Sequence, residues 1–323
     1  MIDTTDTIAE QVGSPPGTQV RRRTLLQGAA TAAGLGVIGV YEAVPSSAQS
    51  AVNLRVSVNS LALNSPVLNA LRTGIQAMKS LPSSDPRNWT NQVNIHFNFC
   101  PHGNWYLLPW HRAYVNQFEK IIAQLSNYPS FVMPFWDWTT DRSIPAAFAS
   151  PTYNGVANPL YDSTRTMSTT ATLPDDMVGP NVINSIIAET QFEIFGSSRG
   201  SITQNGTKIQ QNSTNSSWQR TQGSQGPLES NPHNRVHNTI GGYMLDFLHS
   251  PNDPLFWLHH SNIDRLWSLW NGSGQSNTTN SLWTGFPFTN NFVTASGQAW
   301  SPIVSSLTRT SPLGYSYTGG YGA

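Results

Sequence analysis

The sequence has little charge, a single cysteine and no long uninterrupted hydrophobic run. Of its 323 residues only 11% are charged, and 17 Lys and Arg residues balance 17 Asp and Glu residues. Because there is no net charge and no basic run beyond the extreme N-terminus, nucleic acid and anionic membranes are poor candidates for the main partner. The lone cysteine, Cys100, excludes an internal disulfide framework, so other features must indicate the compartment.

The N-terminus supplies that indication. Three consecutive arginines at 21–23 precede a segment of Ala, Gly, Leu and Val that ends near Val40, and small residues at 46–48 offer a cleavage site. The pattern is similar to a twin-arginine export signal. A membrane anchor is the alternative, but the apolar segment is shorter than about 18–20 residues. We therefore expect a signal peptide over 1–48, one domain over 49–323, a secreted or extracytoplasmic location and no stable membrane insertion.

Helical spacing of apolar residues is the main secondary-structure signal. Ser65 and Pro66 form a typical helix start, with Ser as N-cap and Pro at the first helical position. Further helices are predicted over 111–125, 181–195, 233–240 and 260–270. Residues 143–180 and 200–225 are rich in small polar residues, which favours long loops, the second of them mobile. The predicted fold class is mostly α: a four-helix-bundle core, long loops and few short strands.

Histidine clustering is the main chemical signal. Seven of the eight histidines fall in two compact blocks: His96, His102 and His111, then His233, His237, His259 and His260. His233 and His237 are four residues apart, so on a helix both imidazoles project from one face toward a single metal ion. A histidine packed in an aromatic core without metal is the alternative at any single position. Two matched groups favour a metal site.

The identity of the metal does not follow from the spacing alone. Imidazole ligands suit copper, zinc, iron and nickel. A zinc protease would need a glutamate directly after the first histidine of its HxxxH helix, and here that position holds Asn234. The sequence therefore argues against that protease class.

The residues around both blocks resemble a known family. The block 96–111 is similar to the copper-A motif of tyrosinases, catechol oxidases and hemocyanins, and the block 233–260 is similar to their copper-B motif. Segments 134–138 and 313–317 also look like signatures of that family. The resemblance implies a tyrosinase-like catalytic domain over 49–323 that carries two copper ions in a type-3 centre. The export signal indicates a bacterial member.

Carried over position by position, the resemblance implies a set of metal ligands. Copper A would be held by His96, His102 and His111, and copper B by His233, His237 and His260. In the family the second histidine of the adjacent pair is the ligand, so His259 is expected beside the centre. Helix geometry supports this choice, because adjacent side chains point in different directions. The eighth histidine, His249, stays unassigned.

Further residues are expected beside the copper ligands. Cys100 and His102 resemble the arrangement in which some family members form a thioether between the cysteine sulfur and the histidine ring. An ordinary buried thiol is the alternative. Asp264 would either orient a ligand or pair with an arginine. Phe247 stands where plant members place a ring above the copper site.

The resemblance also implies a reaction with dioxygen. We expect o-hydroxylation of monophenols and oxidation of o-diphenols to o-quinones. Hydroxylation first requires removal of a phenolic proton, whose pKa in solution is about 10. Glu229 and Asn234 resemble the pair that holds a water molecule for this step in some tyrosinases. For Glu229, a solvated loop carboxylate is the alternative.

Two other activities remain open at this point. A catechol or o-aminophenol oxidase would use the same ligands without hydroxylating monophenols. An oxygen carrier like hemocyanin would also use them, but the single domain and the export signal argue against carriage. Bacterial relatives can use a small copper-delivering helper protein, so such a protein is a candidate partner.

Overall fold

The computed structural model describes residues 53–200, 202–204, 207–209 and 220–319. The expected signal peptide over 1–48 and most of the expected mobile loop over 200–225 lie outside the described residues. Among those residues, no helix combines the length and the hydropathy needed to cross a membrane.

The described chain is mostly helical. Its α-helices are α1 (Pro66–Ser80), α2 (Trp89–Phe99), α3 (Leu107–Leu125), α4 (Ala146–Ala149), α5 (Asp175–Val178), α6 (Pro180–Ile187), α7 (Phe192–Phe195), α8 (Asn234–Ile240), α9 (Leu255–Gly272) and α10 (Ser281–Thr284). The histidine blocks lie on or beside α2, α3, α8 and α9. The predicted fold class is confirmed.

The strands are few and short, as expected. Strand β1 (Asn53–Arg55) pairs in parallel with β8 (Tyr315–Tyr317), which joins the two ends of the described chain. Three antiparallel pairs complete the strands: β2 (Thr152–Tyr153) with β3 (Val156–Ala157), β4 (Ile202–Gln204) with β5 (Thr207–Ile209), and β6 (Phe292–Val293) with β7 (Ala299–Trp300).

Helix α3 forms the centre of the core. From Leu107 to Ile122 it buries every side chain except that of Lys120. It packs against α1 on one side and α9 on the other. A Cβ atom added at Gly74 of α1 would lie 2.7 Å from Ile122 Cδ1, so glycine is needed for the close approach of α1. This packing holds α3 and α9, which both carry histidines, next to each other.

Two predicted helices begin earlier than their spacing indicated. Helix α3 begins at Leu107, where the Asn104 carbonyl accepts the Leu107 N–H group. Helix α9 begins at Leu255, where an oxygen of Asp253 accepts the Leu255 N–H group at 2.8 Å. Helix α8 begins one residue later than predicted, at Asn234. Local hydrogen bonds therefore mark the starts of α3 and α9, which apolar spacing left uncertain.

The prediction of one continuous helix over 181–195 is wrong. It divides into α6 and α7, with extended backbone at Gln191. The indole of Trp270 donates a hydrogen bond to the Glu189 carbonyl at 2.6 Å, which takes an acceptor that a continuous helix would use. The break allows Phe195 to stack on Trp270, with ring centroids 4.5 Å apart. Tertiary packing here overrides the local pattern.

Candidate metal centre

Seven histidines meet in the core as two adjoining clusters. The first contains His96, His102 and His111; the second contains His233, His237, His259 and His260. All seven are buried, and within each cluster one nitrogen of each ring lies within 4.8 Å of those of the others. The clusters touch where the rings of His111 and His260 stack, with centroids 4.2 Å apart and planes 11° apart. The structure therefore brings together all six histidines predicted as ligands.

Backbone carbonyls orient the rings of the first cluster. His96 Nδ1 lies 3.3 Å from the Leu248 oxygen, and His111 Nδ1 lies 2.8 Å from the Leu107 oxygen. A carbonyl oxygen only accepts, so each Nδ1 carries the proton and each Nε2 carries a lone pair. These two Nε2 atoms face each other at 3.4 Å. Two facing lone pairs need a cation to bind both.

The second cluster shows the same pattern with a different partner. His237 Nδ1 lies 2.8 Å from the Met244 carbonyl oxygen, and His233 Nδ1 lies 2.9 Å from the side-chain oxygen of Asn234. His237 Nε2 faces His260 Nε2 at 3.2 Å. His233 Nε2 is buried and has no hydrogen-bond partner among the described residues.

Burial keeps these imidazoles neutral. Desolvation lowers the pKa of His96 and His233 to about 3 and that of His237 to about 4. It also lowers the pKa values of the other clustered histidines well below the usual range. Neutral imidazole is the form that binds metal ions. Because both clusters consist of histidine alone among the described residues, the donor set suits copper.

The thiol of Cys100 lies beside the first cluster. Its sulfur is 3.5 Å from Nδ1 of His102, and the residue is a buried free cysteine. Burial raises the pKa of this thiol to about 12, so it is protonated at neutral pH. The pair is close enough for the expected thioether, which stays a prediction.

A cavity of about 220 Å³ opens onto the two clusters. Its walls include His102, His233 and His237, three carboxamides and three apolar side chains: Gln225, Asn234, Asn238, Met244, Leu245 and Phe247. The ring of Phe247 is half-exposed, and its centroid lies 4.2 Å from that of His102. The structure thus places Phe247 over the copper-A side of the site. A single phenolic ring fits a space of this size.

Asp264 connects the arginines and tyrosines behind the site. Arg112 donates to one carboxylate oxygen at 2.5 Å, and the Tyr315 and Tyr317 hydroxyls donate to the other at 2.6 Å. The guanidinium of Arg55 lies 3.5 Å from that second oxygen and 3.5 Å from the Tyr315 ring centroid. Of the two roles predicted for Asp264, the structure shows the pairing with arginine. Since Asp264 is on α9 and Arg112 is on α3, the pair fixes one histidine-bearing helix to the other.

Glu229 is buried, so the alternative of a solvated loop carboxylate is wrong. It is 1% exposed, and its Oε1 accepts the Gly103 N–H group at 2.5 Å. Its Oε2 accepts a hydrogen bond from the Ser197 hydroxyl. Burial raises the pKa of Glu229 to about 7, although both hydrogen bonds oppose that shift. A carboxylate that gains and loses its proton near neutral pH is suited to general base chemistry.

Asn234 is committed to other partners than Glu229. Its side-chain oxygen accepts the proton of His233 Nδ1, and its amide nitrogen donates to Gln225 at 3.2 Å. Asn234 lines the cavity. Among the described residues, therefore, the structure places the predicted pair near His233 but shows no direct bond between them.

Proximity alone does not separate His259 from His260. A ring nitrogen of His259 and one of His260 lie within 4.8 Å of those of His233 and His237, although the two residues are adjacent. His249 lies apart from both clusters, half-exposed, and its ring nitrogen is 2.9 Å from an oxygen of Asp246. It is the one histidine that the sequence left unassigned.

Three functional neighbours were not found from the sequence. Gly103 and Ser197 hold Glu229, and the indole of Trp138 donates to Nδ1 of His259 at 3.2 Å. Trp138 belongs to the segment 134–138 that resembles a family signature, which was its only sequence signal. Ser197 lies 32 residues before Glu229, and no sequence motif relates the two.

Comparison with known proteins identifies the family. The common central domain of tyrosinase matches residues 76–273. A chloroplastic polyphenol oxidase of Malus domestica is 30% identical over 275 residues, which cover 75% of this chain and 45% of that protein. A tyrosinase from Hahella sp. is 29% identical over 305 residues, which cover 82% of this chain and 63% of that protein. The chain thus spans only about half of these relatives.

Solved structures agree. A polyphenol oxidase from Vitis vinifera superposes with a TM-score of 0.69 at 25% identity, over 84% of this chain and 86% of that one. A tyrosinase from Burkholderia thailandensis shares the fold, with a TM-score of 0.61 at 22% identity, over 84% of this chain and 74% of that one. With its two clusters of neutral histidines and a match to the common central domain, the chain belongs to the tyrosinase family of type-3 dicopper proteins.

Proposed function

We propose that the protein oxidises phenols with dioxygen, both by o-hydroxylating monophenols and by oxidising o-diphenols to o-quinones. The observation that carries this proposal is the cavity that opens directly onto the paired histidine clusters. Copper ions held by His96, His102 and His111 and by His233, His237 and His260 would supply dioxygen activation and electron transfer. The remaining requirements, ring binding and proton removal, fall to the chain's own residues.

Ring binding is the task of the cavity wall. Met244, Leu245 and Phe247 provide apolar contact for an aromatic ring, while the carboxamides of Gln225 and Asn238 offer hydrogen bonds to hydroxyl groups. Phe247 limits the opening, since its ring lies against His102. A phenol would therefore enter with its hydroxyl group directed toward the histidines.

Proton removal is the task of Glu229. A monophenol must lose a proton whose pKa in solution is about 10. Glu229 has its pKa raised to about 7 by burial, and it is held by Gly103 and Ser197 four residues before His233. Its carboxylate would receive the phenolic proton through a water molecule. Asn234 accepts a hydrogen bond from Nδ1 of His233 and so fixes the orientation of that ring. It would thereby keep the His233 ring correctly placed relative to the Glu229 carboxylate.

A catechol or o-aminophenol oxidase without hydroxylase activity is the second candidate. The observation that favours it is the side chain of Asn234, which bonds to His233 and Gln225 and not to Glu229. If a water molecule needs both residues, this arrangement would leave it poorly held. Diphenols would still react, because they do not need an external base of this kind.

Matched substrates separate the two candidates. Purified copper-loaded protein would be assayed with 4-ethylphenol and with 4-ethylcatechol, following oxygen uptake and quinone formation. We expect turnover of both. Turnover of the catechol alone would support the second candidate. Reversible oxygen binding without turnover of either would contradict both and favour an oxygen carrier.

Export, copper loading and the thioether complete the proposal. The twin-arginine-type segment before residue 49 supports secretion, and a small helper protein would deliver copper to the buried clusters. The distance of 3.5 Å between the Cys100 sulfur and Nδ1 of His102 supports a thioether formed during copper loading, in which the thiol S–H and a ring C–H bond are lost and dioxygen takes up the two electrons and two protons. Each of these points rests on the sequence pattern or on this proximity.

A further inference from the structure

Two adjacent histidines compete for one metal position. His259 and His260 are both fully buried, and both place a ring nitrogen within 4.8 Å of the nitrogens of His233 and His237. Distance therefore does not decide which of them binds copper B. The choice must come from the state of the ring nitrogens.

Trp138 distinguishes the two rings. Its indole N–H group donates to Nδ1 of His259 at 3.2 Å in a fully buried contact. An indole nitrogen can only donate, so Nδ1 of His259 must accept with its lone pair. A neutral imidazole carries one proton, which is therefore on Nε2 of His259. Neither nitrogen of that ring then has a free lone pair for a metal ion.

His260 is in the opposite state. Its Nε2 faces Nε2 of His237 at 3.2 Å, and its Nδ1 has no hydrogen-bond partner among the described residues. Nε2 of His259 has none there either, so the bond from Trp138 to Nδ1 of His259 is the contact that distinguishes the two rings. The His260 ring is thus free to keep its proton on Nδ1 and to present an Nε2 lone pair. Its stacking on His111 directs it toward the junction of the two clusters.

The position of Trp138 is fixed relative to this helix. The backbone N–H group of Trp136 donates to the Leu258 carbonyl at 3.2 Å, directly before His259. The indole of Trp136 also donates to the Asp141 carbonyl at 2.8 Å. The segment that carries Trp138 is therefore attached to α9 beside the residue that it contacts.

We propose that Trp138 selects the copper-B ligand by occupying the Nδ1 lone pair of His259, which leaves His260 as the ligand. His259 is then a positioning residue: its ring lies 5.4 Å from that of His233 at 26° and 4.8 Å from that of His237 at 89°. Without the indole N–H group, His259 moves its proton to Nδ1 and offers Nε2 to the metal. The proposal rests on the dicopper centre and is independent of the reaction proposed for it.

Copper content provides a test that does not use activity. His260→Ala should reduce bound copper from about two ions to about one per chain, because it removes a ligand of copper B. His259→Ala should keep about two ions per chain, although with weaker retention during dialysis against a chelator. Loss of a full copper ion in His259→Ala would show that His259 is itself a ligand and would overturn the proposal.

A rescue experiment tests the role of Trp138 directly. Trp138→Phe keeps an aromatic ring but removes the N–H group. In the His260→Ala background it should restore the second copper ion, because the freed His259 replaces His260. Adding His259→Ala to that pair should remove the ion again. Far-ultraviolet circular dichroism and melting temperature would establish that each variant is folded.

Two results would contradict the proposal in this experiment. A folded Trp138→Phe, His260→Ala variant that still binds about one copper ion would show that the indole does not control the ligand. Rescue that persists after His259→Ala would assign the new ligand to another residue. If the double variant does not fold, the single variants His259→Ala and His260→Ala still decide the assignment of the ligand.

Discussion

The two histidine clusters differ in what holds their rings. In the first cluster, the carbonyls of Leu107 and Leu248 orient His111 and His96. In the second, a carbonyl orients His237, but the side chain of Asn234 orients His233. A carbonyl that accepts a hydrogen bond from an imidazole ring is lost only if the backbone moves. A side chain that does the same can be removed by one substitution. Since His102 of the first cluster also has a side-chain neighbour, the Cys100 thiol at 3.5 Å, the difference is one of degree: the main chain fixes two rings of the first cluster and one of the second.

The arrangement around Glu229 extends the comparison. The carboxylate stands four residues before His233 of the second cluster, while it is held by Gly103, which directly follows His102 of the first cluster. Glu229 thus connects the segments that carry both clusters, while the role proposed for it belongs to the second. Five predictions sharpen this distinction.

Removal of a ligand should have the largest effect. His237→Ala should abolish turnover and remove one copper ion, because neither water nor a neighbouring side chain replaces the lost Nε2. His249→Ala is the matched control, since His249 is half-exposed and paired with Asp246 outside both clusters. Metal analysis and oxygen uptake check both variants. A folded His249→Ala protein without activity would mean that the site has been misassigned.

Loss of the Asp264 carboxylate should destabilise the protein as a whole, because Asp264 on α9 pairs with Arg112 on α3 and so connects helices that carry both clusters. Asp264→Asn leaves the buried guanidiniums of Arg112 and Arg55 without their full counter-charge, and we expect a loss of about 3–5 kcal/mol in the free energy of unfolding. Asp175→Asn, which breaks an exposed ion pair with Arg142, should change stability little. Chemical denaturation measures both. Equal stability of the two variants would show that the buried network is not structural.

Neutralising Glu229 should separate the two reactions. Glu229→Gln keeps the shape and removes the basicity, so monophenol turnover should fall at least about tenfold more than catechol turnover, about 1.4 kcal/mol of selective barrier. Steady-state rates with a matched phenol and catechol check this. An equal fall in both rates would make Glu229 a structural residue.

The pH profile gives an independent view of the same group. Burial raises the pKa of Glu229 to about 7, and the base must be deprotonated to act. Monophenol turnover should therefore fall as the pH falls below about 7. Catechol turnover should not show this decrease at low pH. In the Glu229→Gln variant, the decrease should also disappear from the pH profile of monophenol turnover.

Cys100 should give the smallest kinetic effect and a clear chemical signature. If its sulfur is bonded to the His102 ring, denatured copper-matured protein should show no titratable thiol. Protein made without copper should show its single cysteine as a free thiol. Thiol titration and intact mass check both preparations. Equal reactivity in the two would leave Cys100 as a packing residue.

Much of this arrangement could be predicted from the sequence. The block from His96 to His111 and the block from His233 to His260, which resemble the two copper motifs of the family, contain every member of the two clusters. The reason is local: these residues lie on helices or next to them, where spacing determines direction. The mostly helical fold followed from the same periodicity.

The remaining features depend on contacts between distant segments. The break between α6 and α7 follows from the bond between Trp270 and Glu189. The burial of Glu229 depends on Ser197, which is 32 residues earlier. The state of His259 depends on Trp138, which is 121 residues away. Local spacing carries no information about such partners.

The metal content of the mature protein tests the central claim most directly. The protein would be stripped, loaded with copper, dialysed against a weak chelator and analysed for copper and zinc per chain. The two histidine clusters and the family match predict about two copper ions per chain, and the higher affinity of nitrogen ligands for copper(II) than for zinc predicts no retained zinc after copper loading. A single copper ion per folded chain, or zinc retained after copper loading, would contradict the dicopper centre.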